Sequence, residues 1–280
     1  MEAGGVGREG GSSEGREPSM AETTTGIRSE AVEAVDVVRG GRLPKETFIS
    51  LAAFVVLWHL ASMVFPPFVA PSWSRIWQAL LGLRWDFVPV TVGRVFLALI
   101  LSFVGGVLAA AAMYRWKGVE RYCLPTVKIL MAVPVLCWIM FAVLWFKLRE
   151  VRIAFILVVV CAPIFLVDVL DAMRGVSKDL RDMVASLRPS PRQFFLKLIL
   201  PATFPAILTS WKINLSLSIR VVTMAELVGA TSGIGYGLHI ANELFSVADV
   251  FAWTLVLVLI LMATQVAVTR IERRVLVWRD

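Results

Sequence analysis

Long apolar runs separated by short polar segments are the feature that most constrains how this chain folds. After Lys45 the runs recur, and each is close to the roughly 20 residues that a helix needs to cross about 30 Å of hydrocarbon. Only helices and closed barrels satisfy their own backbone in lipid, and barrel strands would alternate over shorter windows. We therefore predict an all-α, polytopic membrane protein with about six transmembrane helices. The predicted spans are Phe48–Phe65, Val90–Tyr114, Leu124–Phe146, Ile153–Leu170, Phe204–Val228 and Val250–Val268.

Composition and charge agree with a membrane protein and argue against a soluble enzyme. Apolar residues make up 58% of the chain and charged residues 18%, against about 25% charged in a typical soluble domain. The net charge of +7 indicates loops that meet anionic lipid, so the predicted partner is the bilayer and not nucleic acid. One set of loops holds roughly sixteen Lys and Arg residues and the opposite set about five. Both termini are therefore predicted to face the cytoplasm.

The first 43 residues differ from the rest. They are rich in Gly, Ser and Glu, a composition that cannot bury enough surface to offset the entropy of ordering. We predict a disordered cytosolic tail over residues 1–43 and a transmembrane domain over residues 44–280. The three cysteines are far apart and the two histidines isolated, so we expect no catalytic group, metal or cofactor.

Two loops on opposite sides of the predicted membrane have helical patterns. In residues 66–82, Ser72 or Ser74 is placed to cap a short interfacial helix. In residues 175–201 apolar residues recur at helical spacing up to Leu187, where a proline-rich turn follows. Ser190 and Pro191 are a favourable N-cap and first-turn pair for a second helix, which we expect Pro201 to close. The pattern is equally typical of a surface-lying pair and of a helix offered to a partner's groove.

Ionisable and glycine residues near the fifth span suggest a pathway. Arg220 lies deep in this span and Glu226 near its outer end. Arg220 either pairs with Glu226, Asp168 or Asp171, or it faces the pathway and lets an anion pass. We assign Arg94 to the end of a span, where its side chain snorkels to water. The run after Glu226 is a helix break or irregular backbone lining a cavity. The candidate pathway residues are Arg220, Glu226, Gly229, Ser232, Gly233 and Gly235.

Several motifs resemble the permease subunits of bacterial ABC importers. These carry a cytosolic motif of Glu-Ala-Ala, three residues, Gly, nine residues and Ile-x-Leu-Pro; here Asp182-Met183-Val184 opens the motif and Leu198-Ile199-Leu200-Pro201 closes it. PPFVAPS, AVPVLCWIMFAVLWF and AELVGATSGIGYG resemble the nitrate/sulfonate/taurine branch. Arg188 replaces the motif glycine and Pro189 follows it, so we expect a different geometry for this turn. The resemblance assigns ATPase coupling to Asp182, Met183, Val184, Leu187, Arg188, Pro189, Ser190, Pro191, Leu198, Leu200 and Pro201.

The resemblance implies a type I ABC importer permease fold in a bacterial inner membrane. It implies two copies of an ATP-binding subunit, a second permease subunit as a homodimer, and an extracytoplasmic solute-binding protein. The solute would be small and anionic, of the sulfonate, taurine or nitrate type. The alternatives are a secondary transporter, for which the sequence lacks two similar halves, an intramembrane enzyme, for which it lacks a cluster of reactive residues, and a transport-inactive scaffold.

Overall fold

A computed structural model describes residues 45–275, so the predicted tail lies outside the described residues. The chain divides into two units, residues 1–52 and 53–280. In the first, residues 45–52 are described and form the start of helix α1. The described residues form helices and no strand. The helices are α1 (Lys45–Val64), α2 (Trp73–Gly82), α3 (Phe87–Arg115), α4 (Lys117–Ala132), α5 (Val135–Trp145), α6 (Arg149–Arg174), α7 (Lys178–Ser186), α8 (Pro191–Phe194), α9 (Leu200–Gly229), α10 (Ile234–Glu243) and α11 (Val247–Val275).

The all-helical membrane fold is confirmed, and the predicted count of about six spans is not exact for the described residues, which give four or five. Four helices of the described chain are long and apolar enough to cross a membrane: α3, α6, α11 and the continuous stretch Pro191–Gly229, which is 39 residues long. The predicted span Leu124–Phe146 is instead the bent pair α4 and α5, which meet at 95°. Counting the pair as one span gives five. The predicted first span, Phe48–Phe65, falls on α1, of which Val55–Val64 is a shorter apolar helix by itself, and this span stays a prediction.

Prolines explain where the predicted helices break or continue. Pro134 lacks an amide hydrogen and favours extended backbone at Val133, so α4 ends and α5 begins there. Pro201 does not close a helix as predicted. Its ring crowds the carbonyl four residues earlier, and a widened π turn at Phe195–Ile199 accommodates it, so that α8 runs through the turn into α9.

The core lies between α3, α6 and α9. Leu99, Phe165 and Leu215 are fully buried in one apolar cluster there. A side chain at Gly106 would come within 2.8 Å of the Phe165 Cβ, so this glycine permits the close approach of α3 to α6. We call the end of this bundle that carries residues 229–233 the loop end, and the end that carries residues 175–201 the coupling end.

The predicted short helix in residues 66–82 is confirmed as α2. Ser72 stands at its N-cap position, although its hydroxyl bonds to the Ser74 hydroxyl at 3.0 Å and not to the helix backbone.

An aromatic pair lies at the loop end, where the Phe87 ring of α3 stacks on the Trp253 ring of α11 with the ring centroids 6.0 Å apart. The same apolar cluster contains Ile234, the first residue of α10, so α10 begins packed against these two rings.

Candidate functional site

The coupling end carries two short helices joined by a tight turn. α7 ends at Ser186, and α8 begins at Pro191. The Ser190 hydroxyl accepts a hydrogen bond from the Gln193 amide at 3.3 Å, and the Gln193 side chain accepts one from the Ser190 amide at 3.0 Å. This is a capping box, which satisfies donors that the first turn of a helix leaves unpaired. The N-cap prediction for Ser190 is thus confirmed.

Arg188 adopts the backbone conformation that a glycine would favour. Its φ is +48°, in the left-handed region, and its amide donates to the Ala185 carbonyl at 2.9 Å. Arg188 thus takes a left-handed conformation that glycine adopts without steric cost, and the expectation that this turn differs in geometry from the family's stays a prediction. A non-glycine residue pays roughly 1–2 kcal/mol for this conformation.

The segment is fastened to the bundle by Arg181. Its guanidinium donates to the Met173 carbonyl at 3.0 Å and to the Arg174 carbonyl at 2.5 Å, and so satisfies carbonyls that the end of α6 leaves without helical partners. The Arg174 side chain in turn pairs with Glu120 of α4. Displacement of α7 would therefore pull directly on the ends of α6 and α4.

The predicted coupling residues divide into an exposed group and a buried group. Leu187 is 78% exposed and Met183 60% exposed, although this end is rich in charged residues. Asp182, Arg188, Ser190, Pro191 and Pro201 are also exposed, whereas Val184, Pro189 and Leu200 are half-buried and Leu198 is buried. The segment thus presents apolar side chains outwards while its C-terminal part is anchored in the core.

At the loop end, Glu226 is the centre of a buried polar network. Its side chain is completely buried, and Arg94 Nη1 donates to one carboxylate oxygen at 2.7 Å. The Gly235 amide donates to the other oxygen at 2.9 Å, and the Thr91 hydroxyl lies 3.0 and 2.9 Å from the two. The Ile234 amide donates to that hydroxyl at 2.8 Å. Through these bonds Glu226 joins α3, the end of α9 and the start of α10.

Two predicted pathway glycines lie against Glu226 because no side chain fits there. Gly233 has a φ of +106°, and a Cβ on it would overlap the Glu226 carboxylate. A Cβ on Gly235 would overlap the Thr223 carbonyl and approach the Glu226 Cβ to 2.6 Å. Of the two interpretations of the Gly-rich run, these positions support a helix break with close backbone approach.

Three arginines hold residues 229–233. Arg94 Nη1 donates to the Ser232 carbonyl at 2.8 Å and Nη2 to the Ser232 hydroxyl at 3.1 Å. Arg149 donates to the Thr231 hydroxyl at 2.9 Å, and Arg152 to the Gly229 carbonyl at 3.2 Å. The loop end therefore concentrates positive charge around a loop whose own side chains are uncharged.

Within one chain Arg220 does not pair with Glu226, so this form of the ion-pair prediction is wrong, whereas a pair between two subunits stays a prediction. The two residues are six positions apart in α9, so they point in directions about 120° apart around the helix. Arg220 is exposed and has no ion pair within residues 45–275, and Asp168 accepts a hydrogen bond from Ser210 at 2.7 Å. The structure thus brings Glu226, Ser232, Gly233 and Gly235 together and leaves Arg220 apart.

Arg94 is the functional candidate that sequence reasoning missed. Only 9% of its side chain is exposed, so the prediction that it snorkels to water is wrong. The sequence carries a signal for the Arg94–Glu226 pair, because an arginine and a glutamate inside predicted spans must each have a polar or charged partner. The pairing itself joins residues 132 positions apart, which no local periodicity reveals.

Comparisons with known proteins agree with this architecture. The family model described as binding-protein-dependent transport system inner membrane component matches residues 102–277. The formylaminopyrimidine transport permease protein ThiX of Halalkalibacterium halodurans is 26% identical over 231 residues, which are 80% of this chain and 92% of that protein. The taurine transport system permease protein TauC of Escherichia coli is 25% identical over 252 residues, covering 84% and 91%.

The fold also matches a solved importer. An inward-facing structure of the MetNI methionine ABC transporter superposes with a TM-score of 0.62 at 20% identity, over 68% of this chain and 94% of that one. This likeness supports the type I ABC importer permease fold that the sequence motifs imply. Since the family model covers well over half of the sequence, the chain belongs to the family of binding-protein-dependent transport system inner membrane components.

Proposed function

We propose that this chain is the transmembrane subunit of an ATP-driven importer and forms, with a second copy of itself, the pathway for a small anionic solute. An extracytoplasmic binding protein delivers the solute to the loop end, and two copies of a separate ATP-binding subunit dock at the coupling end. The chain itself catalyses no reaction. Both termini face the cytoplasm of a bacterial cell, and the chain lies in its inner membrane.

The observation that carries the proposal is the coupling segment. Leu187 and Met183 expose apolar surface at an end of the bundle rich in charged groups, which suits docking into a partner's groove. The capping box and the Arg181 contacts make the segment stiff and tie it to α6. A stiff, anchored lever is what a motor outside the membrane needs in order to move the spans.

The charge of the pathway supports an anionic solute. Arg220 lies well inside α9, exposed and without a partner within the described residues, and a charge at this depth needs water, a second subunit or a passing anion. Three further arginines surround the loop end. TauC, named for taurine transport, is a relative, whereas ThiX is named for a pyrimidine, so charge carries this choice more than any single relative does. We assign Glu226, Gly229, Ser232, Gly233 and Gly235 to the support of the pathway's mouth, because the Glu226 carboxylate is buried and Gly233 and Gly235 pack against it.

Isolation of the tagged chain in mild detergent tests the proposal. A nucleotide-hydrolysing subunit should accompany it, and Leu187→Ser should lower its recovery at least tenfold, as loss of a central apolar anchor does at other interfaces. Leu244→Ser is the matched control, because Leu244 is 70% exposed in the turn after α10, away from the coupling segment. Equal recovery with both variants would contradict docking at the segment. A captured ATPase without solute-stimulated turnover would favour the inactive scaffold.

A further inference from the structure

Arg94 contacts two carboxylates of opposite character. On its inner side Nη1 binds Glu226, whose side chain is fully buried. On its outer side Nε and Nη2 bind the two oxygens of Glu150, at 2.8 Å and 2.5 Å. Glu150 is 68% exposed. One guanidinium thus faces both the interior and the open surface at the loop end.

The inner contacts fix the guanidinium, and the outer contact is the exchangeable one. Nη1 is held by Glu226 and by the Ser232 carbonyl, so the plane of the group cannot turn without breaking buried bonds. Its Nε and Nη2 edge is therefore presented outwards as a fixed fork, which matches two oxygens of an oxyanion. The Glu150 side chain is 68% exposed and can turn into water, so another anion can replace its carboxylate, whereas Glu226 is buried and cannot leave.

The charged groups around Arg94 favour a bound anion at its outer edge. Arg149 and Arg152 lie in the first turn of α6 beside Glu150 and contact residues 229–231. With Arg94 they give three positive groups against the two carboxylates Glu150 and Glu226. The Ser232 hydroxyl, 3.1 Å from Arg94 Nη2, offers a further donor at the same edge.

We propose that the outer edge of Arg94 is a binding site for a small soluble oxyanion and that Glu150 is its built-in competitor. With no ligand, the Glu150 carboxylate occupies the fork. A sulfonate, carboxylate or nitrate displaces it and takes the same two hydrogen bonds. Glu150 thereby sets the anion concentration at which the site is half-filled. This inference deepens the proposed function, since it places solute recognition at the loop end of the permease itself.

The test uses the full chain in phosphatidylcholine nanodiscs and sodium ethanesulfonate as the probe. Thermal unfolding is followed against probe concentration, with total ionic strength held constant by sodium chloride. Glu150→Gln and Glu150→Ala should reach the half-maximal shift at roughly tenfold lower probe concentration than the wild type, because the competing charge is gone. Adding Arg94→Lys to Glu150→Gln should abolish this gain, since lysine keeps the charge but lacks the fork.

Glu120→Gln is the matched control. It removes a carboxylate from an arginine pair, with Arg174 at the coupling end, and changes net charge equally. A Glu150→Gln response no larger than that of Glu120→Gln, or an equal response to chloride alone, would overturn the proposal. A site filled in nanodiscs that contain phosphatidylglycerol, with no response to ethanesulfonate, would assign the fork to a lipid headgroup and also overturn it. Neither ATP nor an ATPase is present, so the importer proposal stands or falls separately.

Discussion

Replacing Glu226 with alanine should destabilise the chain more than any surface change of charge. The substitution deletes the acceptor for Arg94 Nη1 at 2.7 Å and for the Gly235 amide at 2.9 Å. It leaves the Arg94 guanidinium, 9% exposed, with a vacated space on its inner side and Glu150 as its remaining ion-pair partner. Removing one partner of a buried ion pair costs about 3–5 kcal/mol. At about 2–4 °C per kcal/mol for a chain of this size, we expect the melting temperature to fall by roughly 6–20 °C.

Cys161 provides the assay. It is fully buried, whereas Cys123 and Cys137 are exposed, so a chain with both exposed cysteines changed to serine reports unfolding through labelling of Cys161 by a thiol-reactive dye. Glu243→Ala is the control, because Glu243 forms an exposed pair with His239, and its loss should cost less than about 0.5 kcal/mol.

A double-mutant cycle separates the ion pair from general loss of packing. Arg94→Ala combined with Glu226→Ala should cost about 2 kcal/mol less than the sum of the single changes, because Arg94→Ala alone leaves the buried Glu226 carboxylate without its guanidinium and the double variant does not. A Glu226→Ala chain that melts within about 2 °C of the wild type would refute the reasoning, as would strict additivity in the cycle.

Three further predictions concern the turn of the coupling segment and the pathway. Arg188→Gly should raise the melting temperature by about 2–4 °C, because glycine relieves about 1 kcal/mol of left-handed strain; a lower value would contradict the strain. Replacing Pro189 and Pro191 together with glycine should leave membrane insertion intact but uncouple ATP turnover from transport, and unchanged coupling would count against a stiff lever. Arg220→Ala should reduce transport of an anionic solute at least tenfold more than that of a neutral one, whereas equal losses would remove the charge argument.

Local chemistry made the helices and the coupling turn predictable from the sequence. The thickness of the membrane sets the length of the apolar runs. Ser190 followed by Pro191 specifies the start of α8 through contacts within a few residues, independently of the rest of the fold. The break at Pro134 was also within reach, because the residue before a proline avoids helical backbone. It was missed because the run of apolar side chains continues unbroken through it.

The network around Glu226 was beyond such reasoning because it depends on packing between distant segments. Arg94, Glu150 and Glu226 come from three helices, and their meeting follows from the parallel contact of α3 with α6 and the antiparallel contact of α3 with α9. Sequence proximity favoured Arg220 as the partner of Glu226, but helix geometry places the two on different faces. Arg188 shows the converse, since its backbone is left-handed although its residue type argues against that conformation.

Uptake by proteoliposomes tests the central claim most directly. The chain is reconstituted with its ATP-binding subunit and its binding protein, and accumulation of a labelled sulfonate such as taurine is measured with and without enclosed ATP. We predict accumulation against a gradient that requires ATP and is lost with Leu187→Ser. Accumulation that follows a sodium or proton gradient without ATP would contradict the account, as would no ATP-dependent accumulation of any small oxyanion by a complex that still binds its ATPase.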